Sequence, residues 1–194
     1  MIIAFHKPYG VLSQFTKENA KHRTLAEFGF PKNVYPIGRL DLDSEGLLLL
    51  SDEKELNDKL LNPQHAHERT YHVQVEGIAR EEAMRKLRKG VSIQDYKTKP
   101  CEARLLNELH YPPRSVPIRF RISIPTSWIE IRLIEGKNRQ VRRMTAVVKL
   151  PTLRLIRVAI GKLQLGDLPS GQWYELNFQQ RNIISIPDKL KRST

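Results

Sequence analysis

The chain has 194 residues, enough to bury a real hydrophobic core in one generous domain or two small lobes. Hydrophobic residues make up 40% and charged residues 28%, a balance that argues against disorder, and 33 Lys+Arg against 21 Asp+Glu leave a net charge of +12. Such an excess attracts polyanions and gains from counterion release, so nucleic acid is the leading partner class and no stretch has the amphipathic pattern of a membrane partner.

The opening MIIAFHKPYG lacks a secretory pattern; residues 2–6 read as a strand closed by the turn Lys7-Pro8-Tyr9-Gly10. Residues 24–28 form a weak helix. The run 47–51 is a short buried strand, far too short to cross a bilayer, and Ser51 then caps a helix over 54–61 that Asn62-Pro63 ends. TYHVQV at 70–75 alternates as a half-buried strand, and 81–89 is an amphipathic helix stopped by Gly90. Pro112, Pro113 and Pro117 mark an extended connection. A strand follows at 127–136, with Trp128, Glu130 and Arg132 alternating against Ile129, Ile131 and Leu133. Asn138 is placed to cap a helix over 139–148 whose inner face is Val141, Met144 and Val148. Strands near 155–160 and 173–177 and a frayed basic tail from Lys189 complete the chain. Strands and helices mix without regular alternation, so an α+β fold with a mixed, largely antiparallel sheet and flanking helices is expected.

Three segments could carry chemistry. In GRLDLDSEG at 38–46, three carboxylates crowd a basic chain; on an extended backbone Asp41 and Asp43 point the same way. A carboxylate where RNA will sit does chemistry, binds a metal or pairs with a cation, though a solvated acidic turn explains the same residues. In EGKNRQVRRM at 135–144, a strand-to-helix junction is followed by Arg139, Arg142 and Arg143 on adjacent faces of one turn, able to clamp phosphate or fork a carboxylate; a solvated cationic face is the plain alternative. In RTYHV at 69–73, Tyr71 and His72 face opposite ways, and Tyr71 is either a stacking surface for a base or a core tyrosine. Single Cys101 excludes an intrachain disulfide, the six histidines lack metal-ligand spacing, and no GxGxxG or Walker loop is present, so a reducing cytoplasm, no metal and no nucleotide cofactor are expected.

Taken in order, HKPYGVL at 6–12, GRLDLDSEGLLLLS at 38–51, RTYHVQVEG at 69–77 and EGKNRQVRRM at 135–144 resemble the pseudouridine synthases of the RsuA/RluA superfamily over nearly the whole chain. The resemblance implies the pseudouridine synthase catalytic fold, two lobes around a central cleft, over 1–180, with a basic tail at 181–194 and no N-terminal S4 domain. Carried over, GRLD makes Asp41 the catalytic carboxylate, RTY makes Tyr71 the active-site aromatic residue, and NRQVR makes Arg142 the partner of the aspartate. Lys7, Arg39, Lys137, Arg139 and Arg143 are the expected RNA contacts, with further backbone grip from basic residues within 86–89, 114–121 and 154–157. The implied activity is cofactor-free isomerisation of one flipped-out uridine in 23S rRNA, or in the pre-ribosomal large subunit, by a monomer. Two other readings use the same residues: a non-catalytic RNA-binding protein, and a metal-dependent nuclease or phosphotransferase with Asp41 and Asp43 as ligands.

Overall fold

In a computed structural model of the chain, residues 1–56, 60, 67–119 and 121–185 are described, and they fall into two compact units. The first comprises 1–68 and 157–194, the second 69–156. Of the expected helix over 54–61, residues 57–59 and 61 lie outside the described residues, as does the tail from Lys189.

The first unit is built on β1 (Ile2–Lys7), which runs antiparallel between β13 (Trp173–Glu175) and β5 (Glu45–Ser51). Every residue of β5 is buried, which is why Leu47, Leu48, Leu49 and Leu50 show no alternation: both faces of the strand meet core. The short β4 (Tyr35–Ile37) pairs antiparallel with β5, while β2 (Val11–Leu12) and β3 (Arg23–Thr24) pair parallel. The weak helix at 24–28 is a single 3-10 turn over Leu25–Phe28, ended by Gly29 in the left-handed conformation. Phe5, Phe28, Phe30 and Trp173 pack ring against ring beside it, with centroids 4.8–6.3 Å apart.

The second unit holds an antiparallel trio in the order β6 (Arg69–Glu76), β10 (Thr126–Leu133), β9 (Glu102–Leu106). Helix α1 (Glu81–Arg88) buries Met84 and Leu87, the apolar stripe its spacing predicts. Gly90 ends it with φ +79, and an added Cβ there would lie 2.3 Å from the Thr98 carbonyl oxygen, so only glycine fits. A small hairpin follows, β7 (Ser92–Ile93) with β8 (Tyr96–Lys97). Helix α2 (Gln140–Val147) buries Val141 and Met144, but the third inner residue is Leu150, just past the helix, rather than Val148. Strand β11 (Thr152–Ile160) begins in this unit and ends in the first, where it pairs antiparallel with β12 (Leu163–Gln164). Helix α3 (Phe178–Ser185), which the sequence patterns did not reveal, occupies the start of the stretch expected as tail. The fold is α+β, as expected, and among the described residues no helix is long and apolar enough to cross a membrane.

Candidate active site

In the first unit, the acidic segment is a clamped turn and not an extended strand. Ser44 N–H donates to the Asp41 carbonyl at 3.0 Å, closing a tight turn at Asp41. The residue before it, Leu40, is buried, and Ser13 Oγ both accepts from the Leu40 N–H at 3.0 Å and donates to its carbonyl at 2.8 Å. Inside the turn, the Leu42 carbonyl accepts from Gly10 N–H at 2.8 Å. Asp41 and Asp43 are half-buried, Leu42 is exposed, and Ser44 and Glu45 are buried. The shared direction expected of Asp41 and Asp43 on an extended backbone is therefore corrected: a turn separates them.

The KPYG turn serves this loop rather than a phosphate. Lys7 is fully buried, and its ammonium donates to the carbonyls of Pro8 at 2.9 Å and Val11 at 2.7 Å. An ammonium in that position is not presented to RNA, so the expected RNA contact at Lys7 is withdrawn. Burial pushes the Lys7 pKa down to about 7, against the opposing fields of Glu45, Asp43 and Asp41; the nearby Arg157 lowers it further. Arg157 is itself buried, its Nε donating to the Leu47 carbonyl at 2.7 Å, so the grip expected of it is likewise corrected. One buried cation, Lys7, thus stands within electrostatic reach of the acidic turn, and a second, Arg157, lies within reach of Lys7. Arg39 is exposed. Ser13 gave no signal in the sequence; Arg157 gave one, as one of two charges, with Arg154, that interrupt the apolar run of β11.

In the second unit, Tyr71 lies opposite Ile131 in the β6–β10 ladder, mostly buried at 9% exposure, with Val73 and Ile129 on the same face. Arg142 is half-buried on α2, between the buried Val141 and Met144. The helix start is shaped by Gln140, not by Asn138: Lys137 N–H donates to Gln140 Oε1 at 2.9 Å, Gln140 N–H returns to the Lys137 carbonyl at 3.1 Å, and Gln140 Nε2 reaches Glu135. Arg139 sits at the N-cap in the left-handed conformation, φ 51, and is exposed. Asn138 accepts instead from Arg143 Nη2 at 3.3 Å, and the Lys137 ammonium lies 3.7 Å from the centroid of the Tyr96 ring.

The other face of β10 carries a buried charge. Glu130 is buried and takes a two-pronged contact from Arg104 (2.8 and 2.9 Å) and a third from Arg132 Nε at 2.8 Å, with His72 Nε2 at 3.4 Å. Burial alone would raise its carboxyl, but the Arg104 and Arg132 guanidiniums carry it below the ordinary value. Burial lowers the His72 pKa in spite of Glu130. Among the described residues, no three His, Cys, Asp or Glu side chains converge on a site that could hold a metal ion.

The family model of RNA pseudouridylate synthases matches residues 1–147, a span that contains Asp41, Tyr71 and Arg142. The chain is 51% identical over 170 residues to ribosomal large subunit pseudouridine synthase E of Xanthomonas axonopodis pv. citri, covering 87% of this chain and 90% of that protein. It is 35% identical over 173 residues to ribosomal large subunit pseudouridine synthase B of Bacillus subtilis, covering 88% of this chain and 66% of that one. A crystal structure of a pseudouridylate synthase shares its fold with a TM-score of 0.78 at 23% identity, over 94% of this chain and 73% of the other. The chain belongs to the RNA pseudouridylate synthase family, enzymes that isomerise uridine to pseudouridine.

Proposed function

We propose that this enzyme isomerises one uridine of large-subunit ribosomal RNA, with Asp41 as its catalytic carboxylate, acting as a cytoplasmic monomer on 23S rRNA or the pre-ribosomal large subunit. The substrate class rests on the relatives whose names place them on the ribosomal large subunit. The role of Asp41 rests on one observation above the others: in a chain of net charge +12, this half-buried acid is fixed by a turn clamped from both sides, on Ser13 and on Gly10. Backbone fixed on both sides of the acid anchors that side chain in place before any substrate arrives.

The reaction conserves every atom. The C1′–N1 bond breaks, uracil turns, a C1′–C5 bond forms, and a proton leaves C5 while N1 takes one up. The uridine has to leave its stack to be reached. Asp41 acts at the ribose as nucleophile or base, its charge partnered by Arg142, while Tyr71 stacks on the base. Arg39, Lys137, Arg139 and Arg143 hold flanking phosphates.

The test is pseudouridine mapping of large-subunit RNA after incubation with wild-type and Asp41→Asn protein. The amide keeps the backbone bond to Ser44, so the variant should fold as the wild type does. Its rate should fall by about a thousandfold or more. An Asp41→Asn protein that still modifies the RNA, or a wild type that modifies none, overturns the assignment.

A further inference from the structure

The second unit contains a cavity of about 750 Å³ that the isomerisation does not use. Gln74 of β6 and Trp128 of β10 line it, opposite each other in the ladder, together with Tyr111 and Arg114 from the connection after β9 and Arg154 of β11. Because Trp128 and Glu130 pair with Gln74 and His72 while Tyr71 pairs with Ile131, the cavity opens on the face of β6 away from the Tyr71 ring. Nothing assigned to the reaction lies on that face.

The lining is organised. The Tyr111 and Trp128 rings have centroids 5.3 Å apart at 44°, and the Arg154 guanidinium carbon is 5.5 Å from the Tyr111 centroid. The Tyr111 hydroxyl is 2.5 Å from His72 Nδ1, which in turn neighbours Glu130, so the ring is held from below. Arg154 Nη1 donates to the Pro112 carbonyl at 3.1 Å, and Arg114 Nε to that of Val116 at 2.5 Å, bonds that tie each guanidinium to the connection after β9. One carboxylate, Glu108, also lines the cavity.

Two aromatic rings beside two guanidiniums form the chemical set that receives an unpaired base with its phosphate. A lone carboxylate does not oppose a single nucleotide as it would a polyphosphate, and it can accept from a base amino group. The volume lies within the range of ligand cavities, roughly 300–1,000 Å³. We propose that this cavity is an accessory RNA subsite that takes one unpaired nucleotide of the substrate away from the isomerised uridine, its base against Tyr111 and Trp128 and its phosphate against Arg114 and Arg154. The proposal rests on the reading of the protein as an enzyme of RNA, and it adds a second point of grip on that substrate.

The probes are single-stranded hexauridylate and hexaadenylate, followed by tryptophan emission and by anisotropy of a labelled hexamer. Binding should quench Trp128. Tyr111→Phe keeps the ring and should bind within about twofold of wild type, whereas Tyr111→Ala should lose about tenfold. Arg154→Ala should lessen the slope of log affinity against log salt by about 0.7. On large-subunit RNA, Tyr111→Ala should raise KM about tenfold at nearly constant kcat, whereas Asp41→Asn should abolish turnover and bind hexamers as the wild type does. Wild-type hexamer affinity in Tyr111→Ala and Arg154→Ala proteins of unchanged melting temperature would overturn the subsite, as would a fall in kcat at constant KM. Hexamer binding of the expected pattern without any pseudouridine would leave the subsite standing and remove the isomerase. Should Tyr111→Ala unfold, Arg114→Ala carries the same expectations as Arg154→Ala, since Arg114 lines the same cavity.

Discussion

Lys7 shows how a residue can matter to a site without touching substrate. Its ammonium is surrounded by protein and holds two carbonyls that lead out of β1, so the proton it carries is costly. Between pH about 7, its value in the folded protein, and its ordinary value of 10.5, the unfolded chain binds a proton that the folded chain releases. Stability contributed by this group therefore rises with pH across that window, by up to about 1.4 kcal/mol per unit, and is flat below it. Lys7→Met removes the titration. The difference in unfolding free energy between wild type and Lys7→Met, from urea titrations at pH 7, 8.5 and 10, should move in favour of the wild type with each step. Parallel profiles would show that the ammonium is not desolvated. Gly46 makes the complementary point about backbone. It sits at φ +105 where β5 leaves the acidic turn, and an added Cβ would fall 2.3 Å from the Arg157 carbonyl oxygen and 2.7 Å from its nitrogen. Gly46→Ala should cost about 3 kcal/mol, because neither strand can yield without disturbing the other. Gly10→Ala, whose Cβ meets nothing within 4 Å at φ +77, should cost only about 1 kcal/mol in the same measurement.

At the scale of elements, β10 carries the most surprising arrangement, because its polar residues alternate as a solvated face would and yet Glu130 is buried. Replacing that carboxylate by Glu130→Gln leaves Arg104 and Arg132 beside each other without the charge that joins them, and, since both guanidiniums reach solvent, should destabilise the protein by about 1 kcal/mol at neutral pH. The folded Glu130 pKa lies below its unfolded value, so its contribution is present above the ordinary carboxylate range and is lost as pH falls through the folded value. Melting curves between pH 7 and pH 3 should therefore converge for wild type and variant at the acid end. The same strand explains what the sequence could and could not disclose. Periodicity located β1, β5, β6, β10, α1 and α2, since each buries a stripe or a run that local spacing records. It missed β2, β3, β7 and β8, two-residue ladders too short to have a period, and β9, whose EARLL does not alternate. Asp41 stood out as an acid in a basic chain. The support from Ser13 did not, because Ser13 reaches Leu40 across 27 residues; Arg157 was visible as a charge in an apolar run, but not its bond to Leu47 across 110. Likewise Asn138 looked like the cap by residue type, while the side chain that satisfies the turn belongs to Gln140.

For the molecule as a whole, a charge of +12 sets a general attraction to RNA, but the cations do not contribute equally to it. Lys7 and Arg157 spend their charge inside the protein, both on carbonyls and Lys7 also in the field of the acidic turn. Arg39 and Arg139 are exposed and able to displace counterions from a phosphate. Affinity for large-subunit RNA, measured from low to moderate salt, should fall linearly on logarithmic axes. Each phosphate contact removed by Arg39→Ala or Arg139→Ala should flatten that line by about 0.7 to 0.9 and weaken binding to unrelated RNA to the same degree. Lys7→Met, though it deletes the same formal charge, should leave the slope as it was, because no counterion is released from a buried ammonium. A slope that responds equally to all three would mean that net charge alone governs binding, and that Arg39 and Arg139 have no particular hold on the RNA.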